Sequence, residues 1–121
     1  MRVSELVVLV CGGRNYNDAH QVNSVLEEIH RAAGIRRIVH GGATGADTLA
    51  GKWAAMNRIG SRVYHADWKT DGPSAGPKRN ATMLASEMPD LVVAFPGGRG
   101  TEDMVRKSIW AGVPVRMVAP R

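Results

Sequence analysis

The chain has 121 residues, 44% of them hydrophobic, and a formal net charge of +5 at pH 7. This length fits a single domain over residues 1–121, and no apolar run approaches the roughly 20 residues that span a membrane. We therefore expect no membrane partner. The one cysteine excludes an internal disulfide, which fits a reducing compartment, so we expect a cytoplasmic protein. The basic balance favours anionic partners in general and identifies none of them.

Apolar runs and helical patterns alternate through the first half of the chain. Residues 6–11 are uniformly apolar and predict a strand buried on both faces. Residues 15–18 have turn chemistry that also caps a helix, and Gly34 ends that helix. A second strand is predicted over 37–40, followed by a second helix that ends near Gly60. The apolar stripes of the two helices are Val22, Val25, Leu26 and Ile29, and then Ala46, Leu49, Ala50, Trp53 and Ala54.

The second half of the chain continues this alternation. The predicted elements are a third strand over 62–64, a polar loop over 67–76, a helix over 78–88, a fourth strand over 91–95, a helix over 101–111 and a fifth strand within 113–118. The residues expected to face inward from the two helices are Ala81, Leu84, Met88, Val105, Ser108 and Ile109.

Strict alternation of strands and helices predicts the fold class. It indicates an α/β, Rossmann-like, three-layer fold with a doubly wound parallel sheet of about five strands. Such sheets commonly have the strand order 3-2-1-4-5, in which strands one and four are neighbours. Their connections leave in opposite directions, and ligands bind in the crevice that opens at the carboxyl ends of these strands.

Three glycine clusters follow predicted strands one, two and four. Backbone N–H groups approach an anion closely at glycine, and a helix N-terminus adds donors and a partial positive charge. A tight turn explains one cluster, but three clusters at one edge favour a phosphate-binding site. The ligand-binding residues predicted from them are Gly12, Gly13, Arg14, Gly41, Gly42, Thr44, Gly45, Asp47, Gly97, Gly98, Gly100 and Thr101.

Two common phosphate-binding loops are missing. The sequence has no G-x-x-x-x-G-K-[ST], which argues against a P-loop hydrolase, and no G-x-G-x-x-G after the first strand. His40 stands where a dinucleotide-binding protein carries an acid, and we expect His40 to pack or bond locally. We predict no metal site and no cofactor, since no zinc-ligand spacing or Cys-x-x-Cys occurs.

The last glycine cluster carries a family resemblance. Residues 96–101, P-G-G-R-G-T, resemble the P-G-G-x-G-T-x-x-E motif of the LOG-type phosphoribohydrolases, which split nucleoside 5′-monophosphates. The G-G-R at 12–14 and G-G-A-T-G-A-D at 41–47 are more similar to the YspA-like domain of the SLOG superfamily, which also contains the DprA domain. The resemblance covers nearly the whole chain and implies binding of nucleotides or nucleotide-derived signals.

The chain departs from the LOG-type pattern at its catalytic position. The motif's glutamate is replaced by Met104, and the neighbouring Asp103 points to a different helix face, since a helix turns about 100° per residue. Asp103 and Glu102 are alternatively acids that complement the helix dipole, with Thr101 as N-cap. The resemblance also implies that Arg79 holds a phosphate, although a solvated cation explains it too. Met104→Glu is expected to restore some cleavage.

Asp47 has two interpretations. With Thr44 it forms a capping-box-like helix start, or it bonds a ribose hydroxyl. Arg14 lies where a ligand phosphate or base would pass. We expect Cys11 to be an inert apolar residue. We expect Trp53 and Trp110 to be core or subunit-interface residues.

The sequence therefore supports three hypotheses. The first is a nucleotide-binding sensor or ligand-processing domain, and the second is an N-glycosidic hydrolase that uses Asp103, Glu102 or Asp47 as its acid. The third is a nucleic-acid-handling module of the DprA kind, which is possible but not favoured. Self-association is left open, and residues 67–76 are predicted to form a mobile flap that uses Trp68 or Lys69.

Overall fold

A computed structural model describes residues 5–121 of the chain. Within this range no helix is long and apolar enough to cross a membrane. The elements, in chain order, are β1 (Leu6–Cys11), α1 (Ala19–Ala33), β2 (Ile35–His40), α2 (Ala46–Met56), β3 (Gly60–Val63), α3 (Trp68–Asp71), a 3₁₀ turn (Gly72–Ser74), α4 (Ala75–Glu87), β4 (Leu91–Ala94), α5 (Arg99–Trp110) and β5 (Val115–Met117).

The sheet has the predicted architecture. Its five strands are all parallel and lie in the order β3-β2-β1-β4-β5, which confirms the α/β, Rossmann-like prediction. Strand β1 is central and pairs with β2 on one side and β4 on the other, with Leu9 opposite both Val39 and Val92. The carboxyl ends of β1, β2 and β4 therefore lie side by side at one edge of the sheet.

Helices cover both faces of the sheet and create two apolar layers. One layer joins Val8 and Val10 of β1 to α1 and α2, where Trp53 is buried as predicted. The other joins Val7 and Leu9 to Met83 of α4 and to α5. Because side chains alternate across a strand, β1 contributes to both layers, which explains its uninterrupted apolar run.

Some element boundaries differ from the predictions. Strands β2 and β3 each begin two residues early, α4 begins at Ala75, and α5 begins at Arg99. The predicted N-cap Thr101 is wrong, because Gly98 is the N-cap of α5. The predicted start at residue 101 left Gly100 outside the helix, whereas Gly100 lies inside the first turn of α5.

The inward faces of α4 and α5 were partly mispredicted. Ala81, Met88 and Ile109 are exposed. Polar residues occupy much of the buried faces, so an apolar stripe is a poor guide there. The buried residues are Ala75, Gly76, Asn80, Met83 and Glu87 in α4, and Thr101, Asp103, Met104 and Ser108 in α5.

Residues 67–76 form helical turns where a polar loop was predicted. Asp67 caps α3, its carboxylate accepting a hydrogen bond from the Thr70 N–H at 3.2 Å. In the same way Asp18 caps α1 by accepting from the Gln21 N–H, which confirms the predicted cap.

Candidate functional site

The three glycine clusters meet at the carboxyl edge of the sheet. The segment after β1 lies in the middle, where the Gly13 N–H donates to the Pro96 carbonyl at 2.9 Å. On its other side, the Gly13 carbonyl accepts from the Ala46 N–H at 3.3 Å, and the Thr44 hydroxyl donates to the Arg14 carbonyl at 3.0 Å. The segment after β1 therefore connects residues 41–45, called the α2-side segment below, to residues 96–100, called the α5-side segment.

Several glycines at this edge are explained by contacts between the segments. A Cβ on Gly12 would lie 2.5 Å from the Cβ of the first residue of α2, and one on Gly97 would lie 2.7 Å from the Gly13 nitrogen. Gly45 has φ +84, and a Cβ there would lie 2.7 Å from the Arg14 carbonyl. Glycine is therefore required at these positions so that one loop can pack closely on another.

The first three backbone donors of the α2-side segment are occupied by side chains. One carboxylate oxygen of Asp47 accepts from the N–H groups of Gly41 at 3.1 Å and Ala43 at 3.2 Å. The Gly42 N–H donates to Nδ1 of His40 at 3.0 Å, which confirms that His40 bonds locally. An anion approaching this segment would meet three backbone donors that already have acceptors.

Asp47 is the residue that closes this segment. It is only 5% exposed. Burial raises the pKa of Asp47 to about 6, although hydrogen bonds from the segment and the positive charge of Arg79 oppose the rise. The predicted capping box is wrong, because Gly45 is the N-cap of α2 and Thr44 bonds elsewhere.

Arg79 binds the protein's own backbone. Its Nη1 donates to the Gly41 carbonyl at 2.6 Å and to the Tyr64 carbonyl at 3.2 Å, and its Nε donates to Asn80 at 3.1 Å. A Cβ on Gly41 would lie 2.6 Å from the guanidinium carbon. Arg79 thus joins the ends of β2 and β3 to α4 through Nη1 and Nε, so it is not simply a solvated cation. Phosphate binding by Arg79 stays a prediction.

Asp103 connects α5 to α4. Its carboxylate accepts from Asn80 at 3.0 Å and forms ion pairs with Arg106 at 3.2 Å and Lys107 at 2.6 Å. Burial opposes ionisation of Asp103, but hydrogen bonds from Lys107 and Asn80 outweigh it and lower its pKa. This acid is held as a carboxylate between two helices, whereas Glu102 beside it is exposed.

Met104 lies in the core. It is fully buried and packs in the apolar layer with Leu9 and Met83. A carboxylate at this position would be desolvated without a partner. The burial of Met104 therefore argues against a gain of cleavage in Met104→Glu, and we expect that variant to be strongly destabilised.

The start of α5 is open. Gly98 caps the helix without a side-chain hydrogen bond, and the first N–H to donate within the helix is that of Glu102, to the Gly98 carbonyl at 3.0 Å. The N–H groups of Arg99, Gly100 and Thr101 precede it and have no acceptor within the helix. A Cβ built on Gly98 or Gly100 meets no atom within 4 Å, so open space surrounds both positions.

Two cations accompany this open helix start. Arg99 is the first residue of α5, and Arg14 follows the glycines after β1. Both side chains are exposed, and neither forms an ion pair with any residue in the range 5–121. Arg99 and the bridging Asn80 were not among the binding residues predicted from the sequence.

A large apolar groove of about 1740 Å³ runs along the flank of α5. It reaches the carboxyl edge of the sheet, called the glycine edge below, at Pro96, Gly97 and Thr101. Its far end includes Trp110, which is 93% exposed. Trp110 is therefore not a core residue, and self-association through it stays a prediction. Cys11 is buried, and burial raises the pKa of its thiol to about 12, as expected for an inert cysteine.

The fold and its crevice define a class of Rossmann-like domains. The X-ray structure of DNA processing protein A (DprA) from Streptococcus pneumoniae matches with a TM-score of 0.76 and 18% sequence identity. The match covers 97% of this chain and 51% of DprA, so the chain spans about half the length of that protein. At this identity the likeness shows the fold.

Comparison of the sequence with known proteins assigns the chain to a family. Residues 6–70 match the family described as YAcAr, the YspA, cpYpsA-related SLOG family. The Gene 61 protein of Mycobacterium phage D29 is 39% identical over 116 residues, covering 89% of this chain and 92% of that protein. The chain belongs to the YspA, cpYpsA-related SLOG family.

Proposed function

We propose that this protein binds a nucleotide or nucleotide-derived ligand whose phosphate sits at the start of α5, and that it acts as a sensor or ligand-processing domain. The observation that carries the proposal is the contrast in donors. The α5-side segment offers N–H groups at a helix start with open space at Gly98 and Gly100. In the α2-side segment, Asp47 and His40 occupy the first three backbone N–H groups.

The charges of the site fit a phosphate. The N-terminus of α5 contributes a partial positive charge of roughly half an elementary unit. The exposed Arg14 and Arg99 add two full charges at the same edge, and an arginine binds a phosphate through two parallel hydrogen bonds. Membership of the SLOG family supports a role connected with nucleotides.

The predicted binding residues therefore divide into two groups. Gly98, Gly100, Arg14 and the backbone of Thr101 are proposed to contact the ligand. The remaining predicted residues are proposed to build the edge that holds these groups in place, and they are Gly12, Gly13, Gly41, Gly42, Thr44, Gly45, Asp47, Arg79 and Gly97.

Nucleic-acid handling is a second candidate, favoured by the net charge of +5 and by the likeness to a protein named for DNA processing. Binding to a phosphate backbone releases counterions, so its affinity falls steeply as salt rises. A single phosphate at one helix start has a much shallower dependence on salt.

The purified protein is first denatured, and the released small molecules are identified by mass spectrometry. It is then titrated in a calorimeter with AMP, GMP, CMP, UMP and ribose 5-phosphate, and with single-stranded DNA at 50 and 200 mM salt. The proposal predicts binding of at least one monophosphate without release of free base. Tight, strongly salt-dependent binding of DNA alone would contradict it, and rapid base release would establish the hydrolase hypothesis instead.

A further inference from the structure

An exposed tryptophan lies at the glycine edge. Strand β3 ends at Val63, and the chain then forms α3 before α4, so α3 lies beyond the carboxyl end of β3. Trp68, its first residue, is 54% exposed. Large apolar side chains that stay exposed beside a ligand site are candidates for contact with the ligand.

The indole ring of Trp68 lies against Gly76. A Cβ added at Gly76, near the start of α4, would lie 3.3 Å from Cη2 and 3.9 Å from Cζ2 of the indole. Gly76 is itself buried beneath the ring. The ring is thus supported at one edge by the backbone of α4, while about half of the residue stays exposed.

Gly76, which supports the Trp68 ring, is close to the start of α5. Gly76 and Asn80 are four residues apart, so they share one face of α4 and are separated by about 6 Å along its axis. The side chain of Asn80 donates to the Gly100 carbonyl at 3.2 Å, in the first turn of α5. One turn of α4 therefore separates the support of the Trp68 ring from the residue that touches the proposed phosphate site.

We propose that Trp68 stacks on the base of a nucleoside monophosphate whose phosphate is bound at the start of α5. The inference rests on the proposed function and narrows its ligand class from nucleotides and nucleotide-derived molecules in general to nucleoside monophosphates whose base contacts Trp68. Every base has a π-face, so an aromatic platform adds affinity with little discrimination among bases. The phosphate fixes position at α5, and the base is held one helical turn away.

The test compares two ligands on four proteins. Wild type, Trp68→Ala, Trp68→Phe and Trp110→Ala are each titrated with ribose 5-phosphate and with the tightest-binding of AMP, GMP, CMP and UMP. Trp110→Ala is the matched control, because it removes another exposed tryptophan at the far end of α5. We expect Trp68→Ala to weaken the monophosphate roughly 5- to 100-fold and to leave ribose 5-phosphate unchanged. Trp68→Phe should retain most of the affinity, and Trp110→Ala should match wild type.

Three outcomes would overturn the inference. The first is unchanged monophosphate affinity in Trp68→Ala, and the second is an equal loss for both ligands, which would show that the ring only supports the fold. The third is a loss in Trp68→Phe as large as in Trp68→Ala. A wild-type protein that binds ribose 5-phosphate but shows any of these results retains the proposed function. A wild-type protein that binds neither ligand refutes the proposed function and this inference together.

Discussion

The α2-side and α5-side segments differ although their sequences look alike. Each follows a buried strand and precedes a helix whose N-cap is a glycine, Gly45 or Gly98. The second helical residue decides the difference, being Asp47 in α2 and Gly100 in α5. The carboxylate of Asp47 accepts from two backbone donors of its own segment, Gly41 and Ala43, so the protein supplies its own anion to them. Without such a carboxylate, the start of α5 remains available to an external anion.

The contrast also separates two uses of glycine. At Gly45 a side chain would collide with the backbone of a neighbouring loop, so glycine serves the packing of the fold. At Gly98 a side chain would enter empty space, so packing within the protein does not require glycine. A glycine that packing does not require is the better candidate for contact with a ligand.

The largest expected effect on stability is at Gly45. Its φ of +84 and the contact with the loop after β1 make any Cβ costly. We expect Gly45→Ala to lower the free energy of unfolding by on the order of 3 kcal/mol. Urea denaturation measures this, with Gly60→Ala as control, since a Cβ there meets nothing within 4 Å. Equal stability of the two variants would refute the packing role of Gly45.

The closure of the α2-side segment by Asp47 predicts a dependence of stability on pH. The folded pKa of about 6 lies above the ordinary value of 3.8, so the folded state binds this proton more tightly than the unfolded chain does. The resulting stabilisation is fully present below pH 4 and is lost as pH rises through 6. Relative to Asp47→Asn, wild type should lose up to about 3 kcal/mol of unfolding free energy between pH 4 and 7. If the unfolding free energy of wild type relative to Asp47→Asn stayed constant or rose between pH 4 and 7, the buried position of Asp47 would be contradicted.

Gly100→Asp sharpens the comparison by giving α5 the acid that α2 has. The added side chain enters open space, and an acid in the first turn complements the helix dipole, so stability should change by less than about 1 kcal/mol. The new carboxylate should compete with a phosphate and weaken the tightest monophosphate at least about tenfold. Gly100→Asn serves as the control of similar size without charge, and it should retain more affinity than the aspartate. Equal affinities of wild type and Gly100→Asp would place the phosphate elsewhere.

The strand order and the convergence of the glycine clusters were predictable, because both follow from alternating periodicity and from the geometry of parallel sheets. The hydrogen-bond partners of the buried side chains were not predictable from the sequence. The bonds of Arg79 to Gly41 and of Asn80 to Gly100 join residues 38 and 20 positions apart. The burial of Met104 depends on which face of α5 packs against the sheet and α4, and the apolar pattern of the helix predicted a different face.

The central claim, that the start of α5 holds a phosphate, is tested most directly at Gly98. Wild type, Gly98→Val and Gly60→Val are titrated in a calorimeter with the tightest monophosphate and with ribose 5-phosphate, after thermal denaturation has established that each is folded. Both substitutions add the same side chain to a glycine with open surroundings, but Gly60 starts β3 at the opposite edge of the sheet. The account predicts that Gly98→Val loses at least about tenfold in affinity for both ligands, since even one lost charged hydrogen bond costs about 1.5–3 kcal/mol, while Gly60→Val matches wild type. A folded Gly98→Val variant with wild-type affinity for both ligands would contradict the account.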